Sequence, residues 1–172
     1  MAVSASALLA ILAFAASARE ERVEILFSPT GEKRVLEERI AGEIRTAERE
    51  IRVAMYHFTS DRLLQALAER RRAGVSVAVL MDSSKIDDEL FNRIRGARLE
   101  LRLATPRTEG ARFHHKFCVL DSRAVITGSY NWTVLGDVAN HENVVLLRHD
   151  GAARAYRDEF DRLWNDRDLS RP

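Results

Sequence analysis

His114, His115 and Lys116 stand immediately before the apolar run "FCVL", and Gly128, Ser129 and Asn131 follow the next such run. With its spacing, the stretch reads His114-x-Lys116, four residues, Asp121, six residues, then Gly128-Ser129-x-Asn131. Eleven residues further on comes "HEN", in which Glu142 opens another apolar segment. Polar groups beside buried strands cost free energy unless something pairs with them. These types together suit attack on a phosphodiester without a metal. A neutral imidazole is a good nucleophile near pH 7, because its unperturbed pKa is about 6.5. Lys116 supplies three ammonium donors and a point charge for one phosphate oxygen. The Ser129 hydroxyl and the Asn131 amide can donate to the others. Preorganised donors of this kind stabilise charge that grows in the transition state, by about 3–4 kcal/mol each in comparable sites.

These side chains need elements to position them. "KFCVLD" (116–121) and "AVITGS" (124–129) are strand-like and separated by only two residues, which predicts a hairpin. Residues two apart on a strand share a face, so His114 pairs with Lys116 and Ser129 with Asn131. A hairpin then sets the two pairs side by side. Upstream, strand patterns at 23–27, 51–58, 75–81 and 99–103 alternate with helical ones at 32–48, after Ser60 or Asp61, and up to Gly96. Downstream, 142–148 reads as a strand and 152–164 as a closing amphipathic helix. A β-α-β-α-β start followed by a hairpin predicts one α/β domain. Its sheet is expected to be mixed and mostly parallel, with helices on both faces.

The 172 residues leave room for one such domain, and 46% apolar content is globular. A net charge of +1 excludes binding by bulk basicity, so any anion site must be a local cluster of cations. The single cysteine, Cys118, excludes an internal disulfide and reads as a small buried hydrophobe. Residues 2–18 carry no charge, and their apolar centre is short for a membrane span. Ala16-Ser17-Ala18 fits a signal-peptide cleavage site. Residues 1–18 are therefore expected to be an export signal or, if retained, a membrane anchor. The folded domain is expected over 19–172, exported or membrane-tethered.

The signature His114, Lys116, Asp121, Gly128, Ser129, Asn131 resembles the HxKxxxxD…GSxN motif of the phospholipase D superfamily. The single copy, "SPTG", "YHFTS" and "HEN" resemble its small Nuc-type endonucleases and the mitochondrial cardiolipin hydrolase-like group. The resemblance implies a phosphodiesterase that needs no cofactor and no metal, working through a phosphohistidine. It implies His114 as nucleophile, Lys116, Ser129 and Asn131 on the phosphate, and Glu142 on the imidazole NH. Asp121 matches the remaining signature position, with a structural role away from phosphorus. One motif per chain implies a homodimer with a shared site. Nucleic acid is the expected substrate and phospholipid the alternative. A catalytically silent nucleic-acid-binding module is a third reading, which the intact His114 and Lys116 oppose.

Other residues have competing readings. Arg107 and Arg112, in "TPRTEGARF" before His114, can rim a cleft and follow a nucleic-acid backbone. His57 is a candidate substrate contact at a strand end, and Trp132 either stacks on substrate or fills the core. His115 reads as a side-facing neighbour and His141 as a loop residue. A metal site from His114, His115, Cys118 and His141 lacks any paired-ligand spacing.

Overall fold

The computed structural model describes residues 21–31 and 34–171, so the expected signal or anchor segment lies outside the described residues. The order is β1 (Arg22–Ser28), α1 (Val35–Ile44), β2 (Glu50–Met55), α2 (Asp61–Arg72) and β3 (Ser76–Asp82), then a 3-10 turn (Ser83–Lys85). Next come α3 (Asp88–Gly96), β4 (Glu100–Ala104), β5 (Lys116–Leu120) and β6 (Ala124–Gly128). The chain closes with α4 (Val134–Val138), β7 (Glu142–Arg148), α5 (Asp150–Asn165) and β8 (Ser170–Arg171).

One sheet forms, in the order β1-β7-β6-β5-β2-β3-β4-β8. Period-two alternation sorts its side chains between two cores. Ile51, Val53, Met55, Val77, Val79, Met81, Cys118 and Ile126 face α1, α2 and α3, while Ala54, Leu80, Phe117, Val119 and Val125 face α5. Burying each large aliphatic side chain stabilises by about 1.5–3 kcal/mol, so the two faces fix the register of every central strand.

The mixed sheet with helices on both faces matches the expectation, but its ladders are mostly antiparallel. Only β2–β3 and β3–β4 are parallel. β1 does not pair with β2; it pairs antiparallel with β7, and three strands lie between. The β-hairpin returns through β5 and β6 and occupies the place beside β2 that a simple crossover would have given β1.

Local signals place the ends. Ser60 caps α2 by accepting the Leu63 N–H at 3.2 Å, and Arg70, Arg71 and Arg72 lie at the negative end of its dipole. α1 is shorter than its periodicity predicts. Its first amides, on Leu36 and Glu37, donate at 3.1 and 2.8 Å to the Asp137 carboxylate of α4, a cap from a hundred residues away.

Candidate active site

β2 is flanked by β3 and β5, with Met55 paired to both Met81 and Lys116. The C-terminal ends of β2 and β3 therefore meet the N-terminal end of β5 at one edge of the sheet. Beyond β2, the Tyr56 N–H donates to the His115 carbonyl at 2.8 Å and carries the pairing past the strand. This holds the His114–His115 segment extended above the edge. β6 ends and β7 begins at the same edge, which brings Ser129 and Glu142 alongside.

Gly128 makes that approach possible. Its φ is +143°, a region L side chains rarely adopt, and a Cβ there would lie 2.2 Å from the Asn143 carbonyl oxygen. The Ser129 N–H donates to that carbonyl at 3.1 Å, and the Asn143 N–H donates back to the Ser129 hydroxyl at 3.1 Å.

The Lys116 ammonium sits 3.1 Å from His114 Nδ1, 3.4 Å from Nε2, and donates to the His114 carbonyl at 3.1 Å. His114 is exposed and Lys116 is half-buried. Burial pushes the Lys116 pKa down, and the Glu142 charge opposes that shift. Glu142 accepts the Ser129 hydroxyl and, at 3.3 Å, the Asn140 amide. It makes no bond to His114 in the single chain, because β6 stands between their strands. The Asn131 side-chain oxygen is buried without a hydrogen-bond partner. Such an acceptor costs about 1–3 kcal/mol until a donor reaches it.

Not every candidate joins this group. Asp121 sits at the far end of β5 and does not belong among the reacting groups. Asp121 and Ser122 have φ of 54° and 55°, forming a tight turn closed by the Arg123 N–H on the Leu120 carbonyl at 2.9 Å. The Asp121 carboxylate accepts the N–H groups of Glu48, Arg49 and Glu50 at 2.8–3.0 Å. Burial raises its pKa, but those three amides and Arg49 outweigh burial and hold it below the ordinary value.

Trp132 is a core residue rather than a stacking platform. It is 2% exposed and meets Phe58 edge-to-face at 5.1 Å. Arg107 is drawn off to an ion pair with Asp168. Arg112 is exposed and lines a cavity of about 400 Å³ beside His114 and His115, with Pro106, Phe113 and Leu169. His115 turns to the other face, between the Phe113 and Phe117 rings. His57 is half-buried near the edge, its pKa lowered by burial and then by the Lys85 charge. Among the described residues, no three His, Cys, Asp or Glu side chains gather as metal ligands.

Three residues at the site escaped the sequence reading. The Tyr56 ring lies 4.5 Å from the His114 ring and 5.3 Å from the Lys116 ammonium. Lys85 approaches the same ring at 5.2 Å. Asp82, 2% exposed, accepts the Phe113 N–H at 2.6 Å and so anchors the residue before His114. "YHF" after a strand was a usable signal for Tyr56. Nothing in spacing links Asp82 or Lys85 to a histidine thirty residues away.

Residues 40–164 match the family described as cardiolipin synthase, PLD-like domain. The chain belongs to this phospholipase D-like family. It is 32% identical over 132 residues to mitochondrial cardiolipin hydrolase of Xenopus laevis, covering 76% of this chain and 61% of that protein. It is 29% identical over 117 residues to phospholipase D of Rickettsia bellii, covering 68% of this chain and 58% of that protein. The chain thus spans about three fifths of these relatives. Among solved structures, the phospholipase D family member Nuc from Salmonella typhimurium superimposes with a TM-score of 0.75 at 26% identity, over 88% of this chain and 97% of that one. NucT from Helicobacter pylori gives 0.73 at 16% identity, over 83% and 95%, a likeness of fold.

Proposed function

We propose that this protein hydrolyses phosphodiesters without a metal, as a nuclease, in a site shared by two copies of the chain. The observation that carries the reading is the Lys116 ammonium 3.1 Å from His114 Nδ1, at the sheet edge where Ser129 and Glu142 also converge. A phosphate oxygen can replace the imidazole as the partner of Lys116, and the freed ring nitrogen then faces phosphorus. His114 attacks, forming a P–N bond as the P–O bond to the leaving group breaks. The leaving oxygen takes a proton from His114 of a second copy. That imidazole next removes a proton from water, whose oxygen bonds to phosphorus as the P–N bond breaks. Lys116 and the Asn131 amide hold the equatorial oxygens, and the Ser129 hydroxyl, which donates its proton to Glu142 in the free site, joins them when that proton turns to phosphate.

Support for the second copy comes from the surface. Val23, Ile25 and Phe27 are 61%, 56% and 65% exposed and alternate along edge strand β1, opposite the inward Leu26. They form an apolar stripe that ends next to Ser28, the residue paired with Glu142. An apolar stripe running up to a half-site fits burial against another copy.

Cations and an aromatic ring around the edge (Lys85, Lys116, Arg112 and Tyr56) favour a nucleic-acid strand. A phospholipid substrate is the second reading, favoured by the relatives named cardiolipin hydrolase and phospholipase D. The test offers the full chain, in EDTA, single-stranded DNA and RNA, plasmid and cardiolipin vesicles. Nucleic-acid cleavage that disappears in His114→Ala at unchanged circular dichroism is expected. Cleavage of vesicles alone selects the lipase reading, and activity that survives His114→Ala removes His114 as nucleophile.

A further inference from the structure

We propose that Lys85 forms a second anion subsite, which takes the phosphate next to the scissile one on a polynucleotide strand. The proposal rests on the nuclease reading above.

Lys85 ends the 3-10 turn that follows β3, at the edge where Lys116 begins β5. Asp82 fixes that turn by accepting the Ser84 N–H at 2.9 Å and the Ser84 hydroxyl at 2.5 Å. Its other oxygen takes the Phe113 N–H. One buried carboxylate therefore ties the segment carrying Lys85 to the segment carrying His114. The two ammonium groups, of Lys85 and Lys116, lie 5.2 and 5.3 Å from the centre of one ring, Tyr56.

A surface lysine is ordinarily a solvated tip or half of an ion pair. Arg39, Arg45 and Arg62 are each held by a glutamate. Lys85 is half-buried, and among the described residues no carboxylate lies within ion-pair distance of it. Its charge also contributes to lowering the His57 pKa. A partly desolvated cation on a pinned turn is stabilised when an anion arrives.

The scissile group already has Lys116, Ser129 and Asn131. A further fixed cation on the same ring rewards a substrate with another negative charge one linkage away. A nucleic-acid strand presents that charge at every step. The Tyr56 ring, within 5.3 Å of both ammonium groups and 4.5 Å of the His114 ring, is an aromatic group of the kind that strand binders set beside bases.

The test compares the full-length wild type with Lys85→Ala and Lys85→Arg in EDTA. The substrates are a thymidine dinucleotide with a single phosphodiester, an oligothymidylate decanucleotide, bis(p-nitrophenyl) phosphate and cardiolipin vesicles. With the decanucleotide, Lys85→Ala is expected to lower kcat/KM about ten-fold, chiefly through KM, and Lys85→Arg to restore most of it. The slope of log(1/KM) against log salt should become shallower by about 0.7, one single-strand phosphate contact. The dinucleotide should lose much less. Equal losses on dinucleotide and decanucleotide, no loss on either, or a loss confined to cardiolipin overturns the subsite. Wild-type hydrolysis of bis(p-nitrophenyl) phosphate without cleavage of either oligonucleotide overturns the nuclease reading and the subsite with it. Wild-type decanucleotide cleavage that is indifferent to Lys85 overturns the subsite alone.

Discussion

Lys116 has two tasks that pull against each other. In the proposed reaction it must carry a charge to hold phosphate, yet its half-burial disfavours the ammonium form. Glu142 offsets part of that cost without pairing directly, since its oxygens are taken by Ser129 and Asn140. The lowered pKa has a kinetic consequence. If the proposed reaction requires the charged form, kcat/KM should fall as pH rises through a pKa below the free-lysine value of about 10.4. Arginine stays charged throughout this range. Lys116→Arg should therefore retain more activity than Lys116→Ala and lose the alkaline limb. A pH profile in which the limb persists unchanged in Lys116→Arg would assign it to another group.

The hairpin of β5 and β6 couples the two ends of the sheet. At one end it presents His114, Lys116 and Ser129; at the other, Asp121 bolts it to the start of β2 through three backbone amides. Asp121→Ala leaves those donors without their acceptor and should cost about 2–4 kcal/mol, read as a lower urea midpoint. The pH dependence has a definite sign. A carboxyl whose folded pKa is depressed stabilises fully above its unfolded value, near 3.9, and that stability disappears as pH falls through the folded pKa. Wild-type stability should therefore fall on acidification below about pH 4 more steeply than that of Asp121→Asn. Parallel curves would mean that Asp121 titrates alike in both states. The signature's aspartate is legible in sequence as a fixed position, while its distance from the histidine is set by the length of β5 between them.

For the whole molecule, stoichiometry and surface converge. The proposed two-step displacement needs a nucleophile and a separate acid, and one chain offers one His-x-Lys. His115 cannot serve, because it lies on the opposite face beside Phe113 and Phe117. The exposed stripe of Val23, Ile25 and Phe27, which ends beside Ser28 and its partner Glu142, fits the proposed contact with another copy. If the site is shared, excess His114→Ala chains should silence wild-type chains by forming mixed dimers. Activity per wild-type chain would then fall toward the fraction paired with another wild-type chain. Activity indifferent to mixing, in dimers shown to have exchanged, would mean that each chain works alone. No helix among the described residues is long and apolar enough to cross a membrane.

Local sequence was sufficient wherever the physics is local. Periodicity placed α2, α5 and the central strands, and the two-residue gap placed the hairpin that brings His114, Lys116 and Ser129 together. Residue chemistry and the signature spacing singled out these side chains as candidates, because few types can attack phosphorus and hold its oxygens. Tertiary structure decided what depends on partners distant in sequence. β1 leaves β2 for β7, since a strand pairs wherever the sheet has an open edge and not with the next strand in the chain. Asp137 sets where α1 begins, and Asp82 joins the Lys85 turn to the His114 segment. Trp132, plausible as a substrate contact by position, is buried against Phe58, and Arg107 pairs with Asp168 at the surface. Packing and charge pairing operate through space, and spacing along the chain carries no record of them.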